Sequence, residues 1–163
     1  FPAGCSVISR SVRNFLEGIG PAFVAATVAL ALQPSFRLPT AIFGIIPLYL
    51  LLHIFCLGLA LIFAKLTFFI PDLAALINLA LRGLFFLSGV FFTIDRFQTS
   101  NTLTNIVEAN PVYQLLAALR SCILDGEWPL ASSWLYISAW SLGLLLFGFV
   151  FFWRSEKHYA SSR

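Results

Sequence analysis

The chain has 163 residues, 60% hydrophobic and only 10% charged, where an ordinary soluble domain has about a quarter of its residues charged. Its net charge of +3 is too small to argue for a nucleic-acid partner, and its basic residues are better read as membrane-topology markers. Cys5, Cys56 and Cys122 are odd in number, far apart and in no CxxC or Cys/His spacing, which supports neither a disulfide framework nor a zinc site.

The chain opens on Phe1-Pro2, contains no methionine and shows no signal-peptide pattern; it is read as the C-terminal part of a longer protein. Residues 3–14 are mixed and carry Arg10 and Arg13. An apolar stretch from Phe15 to Leu32 holds Glu17 and a Gly18-Ile19-Gly20-Pro21 break, where proline is expected to bend a weaker span. Gln33 to Pro39 reads as a turn. Leu38 to Ala64 is 27 residues without a charge, more than the roughly 20 that a helix needs to cross a bilayer, and predicts a span over Thr40–Ala64. Lys65 to Pro71 reads as a tight connection, and Pro71 to Ile94 is a further apolar run interrupted by Arg82, with a span over Asp72–Phe92.

Residues 93–128 change character. Leu103, Ile106 and Val107, then Val112, Leu115, Leu116, Leu119 and Ile123, keep helical spacing. Asn110-Pro111 is an N-cap followed by a first-turn proline, and Gly126 is placed to stop the helix. Both helices are too short and one-sided to span, so they are expected at the interface or partway in. Pro129 to Trp153 is 25 uncharged residues. It predicts the last span over Ser132–Trp153, with Trp128, Trp134 and Tyr136 at one interface and Trp153 at the other. The tail Arg154–Arg163 is polar.

The predicted fold is an all-α integral membrane protein. It has about four transmembrane helices, with two short amphipathic interfacial helices between the last two, in one domain over residues 1–163. Four spans put Arg10, Arg13, Lys65, Arg154, Lys157 and Arg163 on one side and Arg37, Arg96 and Arg120 on the other. The excess of basic residues makes the first side, with the C-terminus, cytoplasmic.

The chain has no GxxxxGK[ST] phosphate loop, HExxH, GxSxG or paired-carboxylate arrangement, so any ATP is hydrolysed by another chain. Charged and polar residues inside spans are the costly features. Arg82 lies about ten residues into its span, roughly 15 Å deep, where an arginine costs on the order of 3 kcal/mol on insertion scales. His53 is at similar depth and Glu17 is shallower. Such groups face a bundle interior, a partner or a water-filled path. They are either a polar lining for a translocated substrate or a structural pair such as Arg82 with Glu17. Phe85, Phe86, Phe91 and Phe92 cluster around Ser88-Gly89. Their rings can stack on sugar faces or simply face lipid and core, and the Ser88-Gly89 step can serve close helix packing.

Taken in order, these residues resemble the permease subunit of a type-2 ABC exporter, and within it the exporters of capsule, O-antigen and teichoic-acid-like polymers. The resemblance is carried by Phe1-Pro2, Arg10 and the run Arg13 to Glu17, by Pro71-Asp72, by Arg82 through Phe92, by Asn110-Pro111 followed by Arg120, and by Phe147-Gly148 through Arg154. Family members usually have six spans, so the first two would be missing here. The resemblance implies a channel between two permease subunits, as a homodimer, in the cytoplasmic (inner) membrane. A separate nucleotide-binding ATPase, which holds the ATP and Mg, docks on the cytoplasmic face, and this chain itself carries no cofactor, metal or catalytic residue. A lipid-linked glycan would pass outward along Arg82, Phe85, Phe86, Phe91 and Phe92, with His53 and Glu17 as further polar lining. The short helices would form the outer gate, with Asn110 and Pro111 shaping it and Ser88, Gly89 and Arg120 in gating or structural roles.

Two further readings compete. One is a type-2 exporter of a drug, antibiotic or lipid, since one fold serves many substrates. The other is a membrane-embedded transferase, for which Asp95, Glu108 and His158 are loose candidates that form no recognisable set; a purely structural membrane subunit is a fourth.

Overall fold

The computed structural model describes residues 3–31, 40–87 and 107–159, and these contain helices and turns but no strand. Helix α1, Ala3–Ala31, runs unbroken through Pro21. The Gly18–Pro21 run therefore does not interrupt it, and the mixed residues before Phe15 are helical too. Proline removes one backbone bond, and the helix continues on both sides of it. Val7, Ser11, Phe15, Gly18, Ala22 and Ala26 recur at helical spacing as its half-buried face, against helix α2.

A short 3-10 turn, Thr40–Gly44, leads into α2, Ile45–Phe69. Pro47 sits in its first turn, where a missing N–H costs nothing. The helix is apolar on every face, as expected of a membrane-embedded helix. It ends at Ile70, extended at φ −136 and ψ 92, because a residue before proline is excluded from the helical region. The connection is thus only residues 70–72, shorter than the sequence reading of Lys65–Pro71, and Lys65 lies inside the helix. Helix α3, Leu73–Leu87, follows, its first turn begun by Leu73 N–H donating to the Ile70 carbonyl at 3.1 Å.

Helix α4, Pro111–Arg120, starts as its sequence predicts. Asn110 is the N-cap and its side chain accepts from the Val112 N–H at 3.0 Å, with Pro111 at the first position. A π-turn, Ser121–Asp125, extends it, and Gly126 stops it in the left-handed region at φ 68, its N–H donating to the Ser121 carbonyl. Glycine takes that conformation without a Cβ penalty. Helix α5, Ala131–Tyr159, closes the described chain.

Two segments are long and apolar enough to cross a membrane, Ile42–Phe69 and Ala131–Arg154. At 1.5 Å per residue they reach about 42 and 36 Å, beyond the ~30 Å hydrocarbon core. Two of the expected four spans are thus present as membrane-length helices among the described residues. Helix α1 carries Arg10, Arg13 and Glu17 in its first half, and the described part of α3 has 15 residues. The first of the two predicted short helices falls mostly outside the described residues.

Helices α2 and α5 run parallel and form the main contact of the molecule. Gly58 and Gly148 meet at their crossing. A Cβ on Gly58 would stand 2.7 Å from the carbonyl carbon of Leu144 and the nitrogen of Leu145, and one on Gly148 would stand 2.5 Å from the Gly58 carbonyl oxygen. Small residues of this kind let membrane helices approach backbone to backbone, and the gain is van der Waals contact. At one end the pair is braced by α4: Leu48, Leu115, Ala118, Cys122 and Ile137 form a buried cluster from all three elements. At the other end Lys65 Nζ donates to the Phe151 carbonyl at 2.9 Å and lies 3.6 Å from the centroid of the Phe151 ring.

Candidate functional site

Helix α1 crosses α2 antiparallel. The Tyr49 hydroxyl donates to the Phe15 carbonyl at 3.0 Å, and Gly18 is the residue that leaves room for that hydroxyl. Phe15 meets His53 edge to face, ring centroids 4.6 Å apart, and Tyr49 lies 5.2 Å from both rings. These contacts fix the depth of α1. His53 is within about 4 Å, along the helix axis, of the midpoint of Ile42–Phe69. The first half of α1 therefore stands beside the middle of a membrane-length helix.

A polar stripe occupies that part of α1. Arg10, Arg13, Asn14 and Glu17 are all exposed and spaced so that they share one face, turned away from α2. Arg13 Nε donates to Glu17 Oε1 at 2.7 Å, with the two side chains 78% and 61% exposed. Arg13 lies close to the level of His53, and Glu17 about 6 Å further along, both inside the ~15 Å half-thickness of a hydrocarbon core. A charge facing lipid at that depth costs about 3 kcal/mol on insertion scales. The stripe thus fits a water-filled path or a polar partner surface, and a lipid-facing position would penalise it.

The Arg82–Glu17 pair, one of the two alternatives for these charges, is not formed among the described residues: Glu17 is bound to Arg13, one turn away on the same helix. Arg82 is exposed on α3. Phe85 and Phe86 lie on α3, but their side chains fall outside the described ones; Ser88, Gly89, Phe91, Phe92 and Asp95 fall outside the described residues altogether. His53 is half-buried in the aromatic cluster with Phe15 and Tyr49, and its Nδ1 has no hydrogen-bond partner among the described residues. Asn110 and Pro111 cap α4, and Arg120 is its half-buried last residue. Structure thus joins Glu17 and His53 to one crossing, and Asn110, Pro111 and Arg120 to another element at the α4 end.

For the transferase reading, Glu108 is exposed and its backbone carbonyl accepts from Gln114 Nε2 at 2.9 Å, while the side chain of His158 is outside the described ones. Among the described residues no three His, Cys, Asp or Glu side chains gather as a metal site.

Sequence reasoning missed the stripe as a unit. Its spacing is legible, but the mixed composition of residues 3–14 hides the helix that puts Arg10 and Asn14 on Glu17's face. It also misses Tyr49, whose hydroxyl sits in an otherwise apolar run, and the Phe151 contact of Lys65, which the sequence presents as a topology marker at the start of a connection.

The sequence profile of the family described as ABC-2 type transporter, a membrane domain, matches residues 3–124. No curated protein and no solved structure matches the chain.

Proposed function

The chain belongs to the ABC-2 type transporter family and is a membrane permease domain of that kind, and from that premise we propose that it moves a lipid-linked polysaccharide outward across the cytoplasmic membrane. The observation that carries a translocating role is the stripe Arg10, Arg13, Asn14 and Glu17, exposed at mid-depth beside an apolar membrane-length helix. A polar face at that depth is used where water or a polar substrate passes.

Members of this family work with an ATPase subunit. In our reading that subunit is a separate chain holding ATP and Mg, docked at the Lys65 end of α2, which is cytoplasmic together with the C-terminus. A second, identical permease subunit completes the channel. Arg82 and the phenylalanines Phe85, Phe86, Phe91 and Phe92 line the path with Glu17, His53 stands in the aromatic clasp beside it, Asn110 and Pro111 shape the outer gate, and Ser88, Gly89 and Arg120 have gating or structural roles. The glycan is favoured by the dense aromatics, 18 phenylalanines in 163 residues, whose faces hold sugar rings without fixing them, and by the capsule-type arginines and glutamate of α1.

The test uses the full-length protein co-expressed with its ATPase. R82A and E17Q complexes are purified and cell-surface glycan is measured. The expected result is normal assembly with lost surface glycan. Normal assembly with normal glycan would remove both residues from the path. An intact complex that alters export of a drug, antibiotic or lipid while glycan stays unchanged would assign the substrate to that class. Failure to co-purify with any ATPase would overturn the exporter reading.

A further inference from the structure

Beyond the Phe15–Tyr49 clasp, α1 and α2 stand apart and leave a groove of about 620 Å³, bounded by Phe15, Ala22, Phe23 and Ala26 on one side and Ile46 and Tyr49 on the other. We propose that this groove seats one acyl chain of a bilayer phospholipid. Three observations select that occupant.

The first is chemistry. The two hydroxyls in the lining are already satisfied within the chain, Tyr49 on the Phe15 carbonyl at 3.0 Å and Thr27 on the Val24 carbonyl at 2.8 Å. Nothing in the groove asks for a hydrogen bond, so its occupant is hydrocarbon. The second is length. Counted from the middle of Ile42–Phe69, the groove runs outward from about 7 Å at the Phe15–Tyr49 level past the ~15 Å edge of one leaflet's hydrocarbon, so a chain anchored at the interface enters at its outer end and reaches the clasp. The third is direction. At about 100° per residue, Phe15, Ile19, Ala22, Phe23 and Ala26 lie on the flank of α1 opposite Arg10, Arg13 and Glu17. If the polar flank faces water, the groove flank faces lipid; its rim residues Phe23, Phe43 and Ile46 are 69%, 67% and 71% exposed. A helix of a second copy would instead bring its own side chains to a slot whose rim is already bulky.

The inference rests on the chain spanning a bilayer and not on what it exports. The full-length protein in native membranes carries photoreactive benzoylphenylalanine in place of Ile46, or in place of Leu146, an exposed position on α5 outside the groove. After extraction and delipidation the samples are irradiated and their intact masses measured. The expected result is a one-phospholipid adduct that survives at position 46 and is lost severalfold at position 146. Combining the position-46 probe with A22W, which fills the groove, removes the adduct. A protein–protein adduct at position 46 would overturn the proposal and assign the groove to another segment or a second copy. Equal loss of lipid from both positions would also overturn it, and this contrast stands even if A22W fails to fold. Because no transport is measured, a failed export reading leaves this result intact.

Discussion

Helix α2 meets its two neighbours in different ways. Against α5 it approaches backbone to backbone through Gly58 and Gly148; against α1 it touches through the side chains of Tyr49 and His53 around Phe15. The first contact leaves little freedom of separation, because the nearest atoms at the crossing are main chain. The second is a clasp at one level, with an open groove beyond it. The difference teaches that α2 and α5 are built as one unit, and that α1, which carries the polar stripe, is held to α2 through side chains and also meets the π-turn Ser121–Asp125.

The largest expected effect comes from breaking the close crossing. G58V or G148V should cost several kcal/mol, since overpacking costs about 1–3 kcal/mol even where side chains can shift and here the obstacle is backbone. Thermal unfolding in detergent measures it. G143A is the control, since a Cβ there meets nothing within 4 Å; equal losses would show that the crossing is not close-packed.

Removing the Lys65 contact tests the same unit more gently. K65M loses a charged hydrogen bond and a cation–π contact to Phe151, an expected loss of about 1–3 kcal/mol in the same assay. N110A removes the cap of the helix that braces the pair, with about 1 kcal/mol expected, read as lost helicity and a lower melting temperature.

On the looser side, Y49F deletes the clasp hydroxyl. Hydrogen bonds between membrane helices average about 0.6 kcal/mol, so global stability should barely change. Amide exchange in α1 should rise while α2 and α5 stay protected; a uniform rise would deny the distinction between the two contacts. The smallest perturbation is chemical labelling. Cys5 is exposed and Cys122 fully buried, and burial pushes the Cys122 thiol up, away from the reactive thiolate. Maleimide should label Cys5 promptly and Cys122 only on unfolding of the α2–α4–α5 cluster; prompt labelling of Cys122 in the folded protein would show that this cluster opens.

What the sequence determined is local. Uncharged runs from Leu38 and Pro129 set the two long apolar helices, Pro71 set where α2 stops, and Asn110-Pro111 and Gly126 set both ends of α4 and its π-turn extension. Each follows from solvent or from a backbone rule acting within a few residues. What the tertiary structure decided is partnership. The sequence offered Arg82 as a partner for Glu17, and the fold gave Arg13. It presented His53 and Tyr49 as residues of one apolar run, and the crossing of α1 made them the clasp that sets the stripe's depth. Gly58 and Gly148 are two of ten glycines, and only the parallel pairing of α2 with α5 brings them face to face. Apolar periodicity says which residues leave water; in a bilayer every face of a helix can do so, and the choice of neighbour falls to close packing and the few polar groups that must find each other.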